Sequence, residues 1–129
     1  MGAPRVLIVD DNPAIRSSLA AVLTDEGFLP IEASDGRMAL QILEGMRGEL
    51  GTLPCAILLD LMMPGMDGWE FRRQQLGHAA LAGVPVIVMA AGGNSTKQVD
   101  TNVSGFLAKP FRIDDLMDCL RELPGQRLP

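Results

Sequence analysis

Three carboxylates and one lysine stand where this chain could use them. The run 56–60, AILLD, drives four apolar residues into an acid, Asp60. An earlier apolar run, VLIV at 6–9, ends on Asp10 and Asp11, and a later one, FLA at 106–108, ends on Lys109 and Pro110. Crowded carboxylates repel, and without a counter-charge at least one tends to hold a proton. A small hard cation resolves the conflict: Mg²⁺ takes oxygen ligands in an octahedron and keeps several waters. Carboxylate oxygens, a backbone carbonyl near Met62 in the turn after Asp60, waters and an incoming phosphoryl oxygen would fill such a shell. Pro64 and Gly65 bend that turn. The lysine ammonium would then grip the phosphoryl group or pair with Asp60. A carboxylate held beside a metal and a lysine can attack phosphorus.

These residues need strands to hold them, and the pattern supplies five. Short apolar runs at 6–9, 29–33, 55–59, 85–89 and 106–108 alternate with helix-like stretches. Asn12 can cap a first helix with Pro13 in its opening turn. Ile15, Leu19, Val22 and Leu23 share one face of it, and Gly27 ends it. Ser34, Asp35 and Gly36 open a second helix, with Ala39, Leu43, Met46 and Leu50 in register. A third spans about 68–76, where Trp69 and Phe71 are its expected anchors. A last one carries Ile113, Leu116, Met117 and Leu120, and Pro124 and Gly125 stop it. The segment 92–105, GGNSTKQVDTNVSG, is poor in helix formers and predicts a short or irregular fourth helix. Strands that are apolar on both faces and alternate with helices form a parallel sheet covered on both sides. The fold class expected is doubly wound α/β, (βα)5, in a single domain. In such sheets the site lies outside the carboxyl ends of the strands, where the acids and the lysine fall.

Composition narrows the function classes. A chain of 129 residues suits one domain, 1–129, with its core at about 4–123 and a frayed tail at 124–129. A net charge of −5 with no basic stripe argues against nucleic-acid binding by this domain. Cys55 and Cys119 read as reduced core residues rather than a disulfide. No apolar run is long enough for a membrane span. The opening MGAPRVLIVDD reaches acids too soon for a signal peptide, so the cytoplasm is the expected location. The single histidine, His78, lies in a loop-like stretch and is given no role. Met62, Met63 and Met66 read as flexible fillers around the loop, and Arg72 and Arg73 as a solvated face.

The motifs VLIVDDNPAIR, ILLDLMMPGMDGWEF, PVIVMAA and GFLAKPF together resemble the receiver domains of two-component response regulators, a CheY-like, flavodoxin-like family. The resemblance covers essentially the whole chain. It implies that Asp60 accepts a phosphoryl group from a histidine kinase or phosphotransfer protein. It also implies that Asp11, Asp60 and the Met62 carbonyl bind Mg²⁺ directly while Asp10 acts largely through water. Lys109 would contact the phosphoryl group, and Phe106 would occupy the aromatic switch position. An output protein reads the result, and the domain itself is expected to be a monomer or a weak homodimer. Taken singly, each residue has a plainer reading. Asp60 could begin a loop, Asp10 and Asp11 could cap a helix, Lys109 could be a surface lysine and Phe106 could be core.

One position departs from the family pattern. The hydroxyl residue, Thr or Ser, that usually ends the fourth strand is Ala90 here. Its hydroxyl normally bonds a phosphoryl oxygen, a contact worth about 1.5–3 kcal/mol. Typical allosteric couplings are about 1–3 kcal/mol, so switching is expected to be weakened or rerouted, with Ser95 or Thr96 as conceivable substitutes. Three function classes follow. The first is a phosphoaspartate receiver. The second is a receiver-like interaction module that works without phosphorylation. The third is a Mg²⁺-dependent phosphatase, disfavoured because Met62 stands where such enzymes carry a second acid. The first is the expectation, and a turnover enzyme is not expected.

Overall fold

The computed structural model describes residues 3–50, 52–63, 65–91 and 103–123. Five parallel strands form one sheet: β1 (Arg5–Val9), β2 (Leu29–Ala33), β3 (Ala56–Asp60), β4 (Val86–Ala91) and β5 (Gly105–Lys109). Their spatial order is β2-β1-β3-β4-β5. The helices are α1 (Pro13–Asp25), α2 (Gly36–Gly45), α3 (Gly68–Leu76) and α4 (Ile113–Arg121). The segment 92–105, expected to hold a short or irregular fourth helix, lies outside the described residues over 92–102, with Ser95 and Thr96; its last residues are not helical, and Gly105 begins β5. Pro64 and the tail at 124–129 are also outside the described residues.

Strand alternation decides which helix goes where. One set of strand residues, including Leu7, Val9, Ile57, Leu59 and Val88, packs with Ala39 and Leu43 of α2 and Phe71 of α3. The interleaved set, including Val6, Ile8, Leu58 and Met89, packs with Leu19 and Leu23 of α1 and Leu116, Met117 and Leu120 of α4. β3 is buried along its whole length, as a central strand with two covered faces must be. Burying both faces supplies most of the driving force, since each fully buried Leu or Ile contributes about 1.5–3 kcal/mol.

Asparagine and aspartates start the first three helices, as their sequence positions suggest. The Asn12 side chain accepts from the backbone N–H of Ala14 and Ile15, Asp35 accepts from Met38, and Asp67 accepts from Glu70. Gly27, with φ 93°, follows α1. The second helix departs from its expected register. It is α-helical only to Gly45 and continues as a five-residue π-helical turn, Met46–Leu50. β3 begins at Ala56 and includes Asp60, and β4 runs to Ala91, so both lie further along than expected. β5 adds Gly105 and Lys109 to its expected ends.

Arg72 corrects a reading made from the sequence. It is buried rather than solvated. It donates to Gln75 Oε1 at 2.8 Å, and Gln75 Nε2 donates to the carbonyls of Leu81 and Val84, each at 3.0 Å. This polar network ties α3 to the approach to β4. Arg73 is exposed and pairs with Glu70. Met62 is a second correction: at 68% exposure it fills nothing. Met63 is buried, and Met66 packs at the edge of the α2–α3 core.

Candidate phosphoryl-transfer and metal site

The β1–β3 register brings the first two carboxylates together. Val9 is aligned with Leu59, so Asp10 and Asp60 come next on neighbouring strands. The ladder continues past both, with Asp10 N–H bonded to Ala33 O at 3.2 Å and Leu61 N–H to Met89 O at 3.1 Å. Lys109 ends β5, aligned with Ala91 of β4. Its side chain crosses the end of β4 to reach the acids. Lys109 Nζ lies 3.0 Å from Asp10 Oδ2 and 3.5 Å from Asp60 Oδ1.

Asp10 is fully buried and Asp60 is 4% exposed, whereas Asp11 is exposed. One carboxylate oxygen from each of the three lies within 4.8 Å of the others. Burial holds the Asp60 carboxyl above its ordinary pKa. The Met62 N–H opposes that rise, the Asp10 charge adds to it, and Lys109 opposes it. Three carboxylates facing one ammonium leave an excess of negative charge on an oxygen-only donor set. Such a set suits Mg²⁺, which prefers oxygen ligands and binds through a few carboxylates while keeping waters.

The turn after β3 is held by short backbone contacts. Met62 N–H donates to Asp60 Oδ1 at 3.1 Å. Gly65 has φ 77°, a left-handed conformation that favours glycine. Gly68 opens α3 against the strand end, where a Cβ would lie 2.7 Å from Asp60 O and 2.8 Å from Leu61 Cα. Only a residue without a side chain lets α3 come this close.

The sequence-predicted residues Asp10, Asp11, Asp60 and Lys109 thus meet at one sheet edge. Ala90 is buried at 2% exposure and Phe106 is half-buried against the α2–α3 core. His78 sits in a hydrogen-bonded turn, and its Nε2 pairs with Glu44 of α2. Cys55 and Cys119 are half-buried thiols at the edge of the α1–α4 core. Sequence reasoning missed Arg16, whose Nη1 donates to Asp10 O at 2.7 Å while its Nε faces Glu32 Oε1 at 3.3 Å. The available signal was a charged residue between the inward-facing Ile15 and Leu19. No described helix is long and apolar enough to cross a membrane.

Residues 6–121 match the family model of the response regulator receiver domain. The chain is 35% identical over 126 residues to the transcriptional regulatory protein TcrA of Mycobacterium tuberculosis, a match covering 92% of this chain and 45% of TcrA. It is 34% identical over 128 residues to the response regulator MprA of Mycolicibacterium vanbaalenii, covering 97% and 52% respectively. The chain therefore spans about half the length of these curated relatives. Among solved structures it is similar to the chemotaxis protein CheY4 of Vibrio cholerae, with 27% identity, a TM-score of 0.79 and coverage of 95% of this chain and 99% of that one. It is also similar to a CheY-like receiver domain protein of Methanospirillum hungatei, with 28% identity, a TM-score of 0.76 and coverage of 93% and 94%.

Proposed function

Because the chain belongs to the response regulator receiver domain family of two-component signalling, we propose that Asp60 is its phosphoacceptor and that the donor is the phosphohistidine of a histidine kinase or phosphotransfer protein. The observation that carries this reading is the convergence of Asp10, Asp11, Asp60 and Lys109 within ion-pair and metal-ligand distance. Asp60 Oδ1 is engaged by Met62 N–H and faces Lys109. Oδ2 has no hydrogen bond among the described residues and is the attacking oxygen. It forms the new O–P bond as the P–N bond of phosphohistidine breaks. The imidazole leaves with the electron pair and takes a proton from solvent. Lys109 shifts from the carboxylates to the transferred oxygens, where its charge stabilises the transition state. Bound Mg²⁺, held by Asp11, Asp60 and the Met62 carbonyl and through water by Asp10, would supply charge neutralisation on those oxygens.

The domain is not a turnover phosphatase in this reading. Met62, two residues after Asp60, is exposed and has no proton to give. The output is read by another protein or an attached domain. Nucleic-acid contact is not assigned to this domain, whose net charge is −5. A cytoplasmic location fits phosphotransfer from an intracellular kinase.

The test is intact mass after incubation with Mg²⁺ and acetyl phosphate, a small phosphodonor. One added phosphoryl group is expected, absent in Asp60→Asn and in EDTA. No mass gain, even with a cognate kinase supplied, would overturn the reading. A second reading is a receiver-like interaction module whose binding ignores phosphorylation. It is favoured by Ala90, a buried methyl where the family places a hydroxyl. Phosphorylation at Asp60 that changes neither conformation nor partner binding would select it.

A further inference from the structure

We propose that Arg16 is a positioning residue for the metal site, acting through the peptide between the two acids that follow β1 and held in turn by Glu32; this rests on the metal-binding reading above. Every polar group of Asp10 has a partner. Oδ1 accepts Asn12 N–H at 2.9 Å and Oδ2 accepts Lys109 Nζ at 3.0 Å. The backbone N–H donates to Ala33 O at 3.2 Å, and the carbonyl accepts Arg16 Nη1 at 2.7 Å. That last contact is the shortest of the four. It comes from a guanidinium whose side chain is only 17% exposed.

The Asp10 carbonyl belongs to the same rigid plane as the Asp11 N–H. Fixing the carbonyl therefore fixes the direction in which the chain enters Asp11. Asp11 is exposed, and its carboxylate makes no hydrogen bond or ion pair among the described residues. Among the described residues, its orientation toward Asp60 thus depends on the backbone alone. Arg16 is suited to this task, because its planar fork binds two acceptors at a set angle. One acceptor is the Asp10 carbonyl and the other is Glu32 Oε1 on β2, at 3.3 Å. Its own N–H closes the first turn of α1 onto Asn12 O at 3.1 Å. One side chain therefore locks α1, the end of β1 and the edge strand β2 around the acid pair.

Charge and position pull in opposite directions here, which makes the inference testable. A guanidinium near the site repels a metal ion, so if Arg16 acted only by its charge, removing it would tighten Mg²⁺ binding. If it acts by position, removing it weakens binding. Outer-shell partners of metal ligands typically contribute about 10–100-fold in affinity.

The experiment is calorimetric Mg²⁺ titration of the wild type, Arg16→Met, Arg16→Lys and Glu32→Gln, with melting curves in EDTA as the fold control. The proposal expects Arg16→Met to weaken Mg²⁺ binding about 10-fold or more. Arg16→Lys, which keeps the charge and loses the fork, should weaken it by a smaller factor, as should Glu32→Gln. The Mg²⁺ concentration for half-maximal phosphorylation by acetyl phosphate should rise, with the plateau rate at saturating Mg²⁺ unchanged. Affinities within twofold of wild type, or tighter binding in Arg16→Met, would overturn it. If Arg16→Met does not fold, Arg16→Lys and Glu32→Gln decide on the same criterion. A wild type that binds no Mg²⁺ would instead remove the metal reading, and this inference with it.

Discussion

Replacing Asp60, the proposed phosphoacceptor, should make the metal-free protein more stable. In Asp60→Asn the side chain keeps an oxygen for the Met62 N–H and loses its charge. The charge terms nearly cancel in the wild type. At an effective dielectric constant of about 20, Lys109 at 3.5 Å attracts the Asp60 carboxylate by about 5 kcal/mol. The Asp10 carboxylate, with an oxygen no more than 4.8 Å away, repels it by at least about 3.5 kcal/mol, and the exposed Asp11 adds a solvent-screened fraction of that. What remains is the cost of ionising a group that is 4% exposed, several kcal/mol for a buried ion, against about 1.5–3 kcal/mol for the charge-assisted Met62 bond. A surplus penalty of about 1–2 kcal/mol follows, in keeping with the raised pKa of Asp60. Since the folded pKa exceeds the unfolded one, the penalty is complete above the folded pKa. It is relieved as pH falls through that value and is gone below the unfolded pKa. Asp60→Asn should therefore melt about 3–8 °C higher than wild type in EDTA at pH 7.5, with the gap closing toward pH 4. Saturating Mg²⁺ should reverse the order, because a ligand at 100 times its Kd adds about 2.7 kcal/mol to the form that binds it. Equal or lower stability of Asp60→Asn in EDTA at pH 7.5 would refute this account of the site.

Other substitutions probe the same edge of the sheet. Lys109→Met leaves the buried Asp10 carboxylate with only its Asn12 N–H, so a loss of about 2–4 kcal/mol is expected in urea unfolding; a change under 1 kcal/mol would show that Lys109 does not neutralise Asp10. Gly68→Ala puts a Cβ 2.7 Å from Asp60 O, against backbone that cannot yield, and should cost about 1–3 kcal/mol as well as slowing phosphorylation; wild-type stability would refute the close approach. Ala90→Thr puts a hydroxyl at the strand-end position where the family carries one and, on the proposed function, should tighten binding of the phosphoryl mimic beryllofluoride by about 10-fold or more in calorimetry, with unchanged affinity counting against a role for this position. Burial pushes the Cys55 thiol up to about 11, so it should react with a disulfide reagent at pH 7.5 at least about 100-fold more slowly than in urea; its ionisation should also lower stability as pH rises from about 9 to about 11, and rapid labelling of the native protein would refute the burial.

The sheet and the acid–lysine corner were legible because both rest on short-range rules. A parallel strand with two covered faces is a continuous apolar run, and the residue after it is at the site edge whatever the loops do. Asp10, Asp60 and Lys109 are found this way, and the β1–β3 register follows once both runs are seen to end on an acid. What stayed hidden depends on which face a polar residue turns inward. Arg72 and Arg73 are adjacent and identical in type, yet one is buried on Gln75 and the other exposed on Glu70. The 3.6-residue period places them 100° apart on α3, and only the contact of Gln75 with the Leu81 and Val84 carbonyls tells which one turns inward. Arg16 is the same kind of case with a functional consequence. Its partners are a carbonyl six residues earlier and a carboxylate sixteen residues later, and no local pattern joins the three. The acids proposed to do the chemistry are announced by the strands that carry them. Arg16, the residue proposed to aim them, is announced by nothing shorter than the fold.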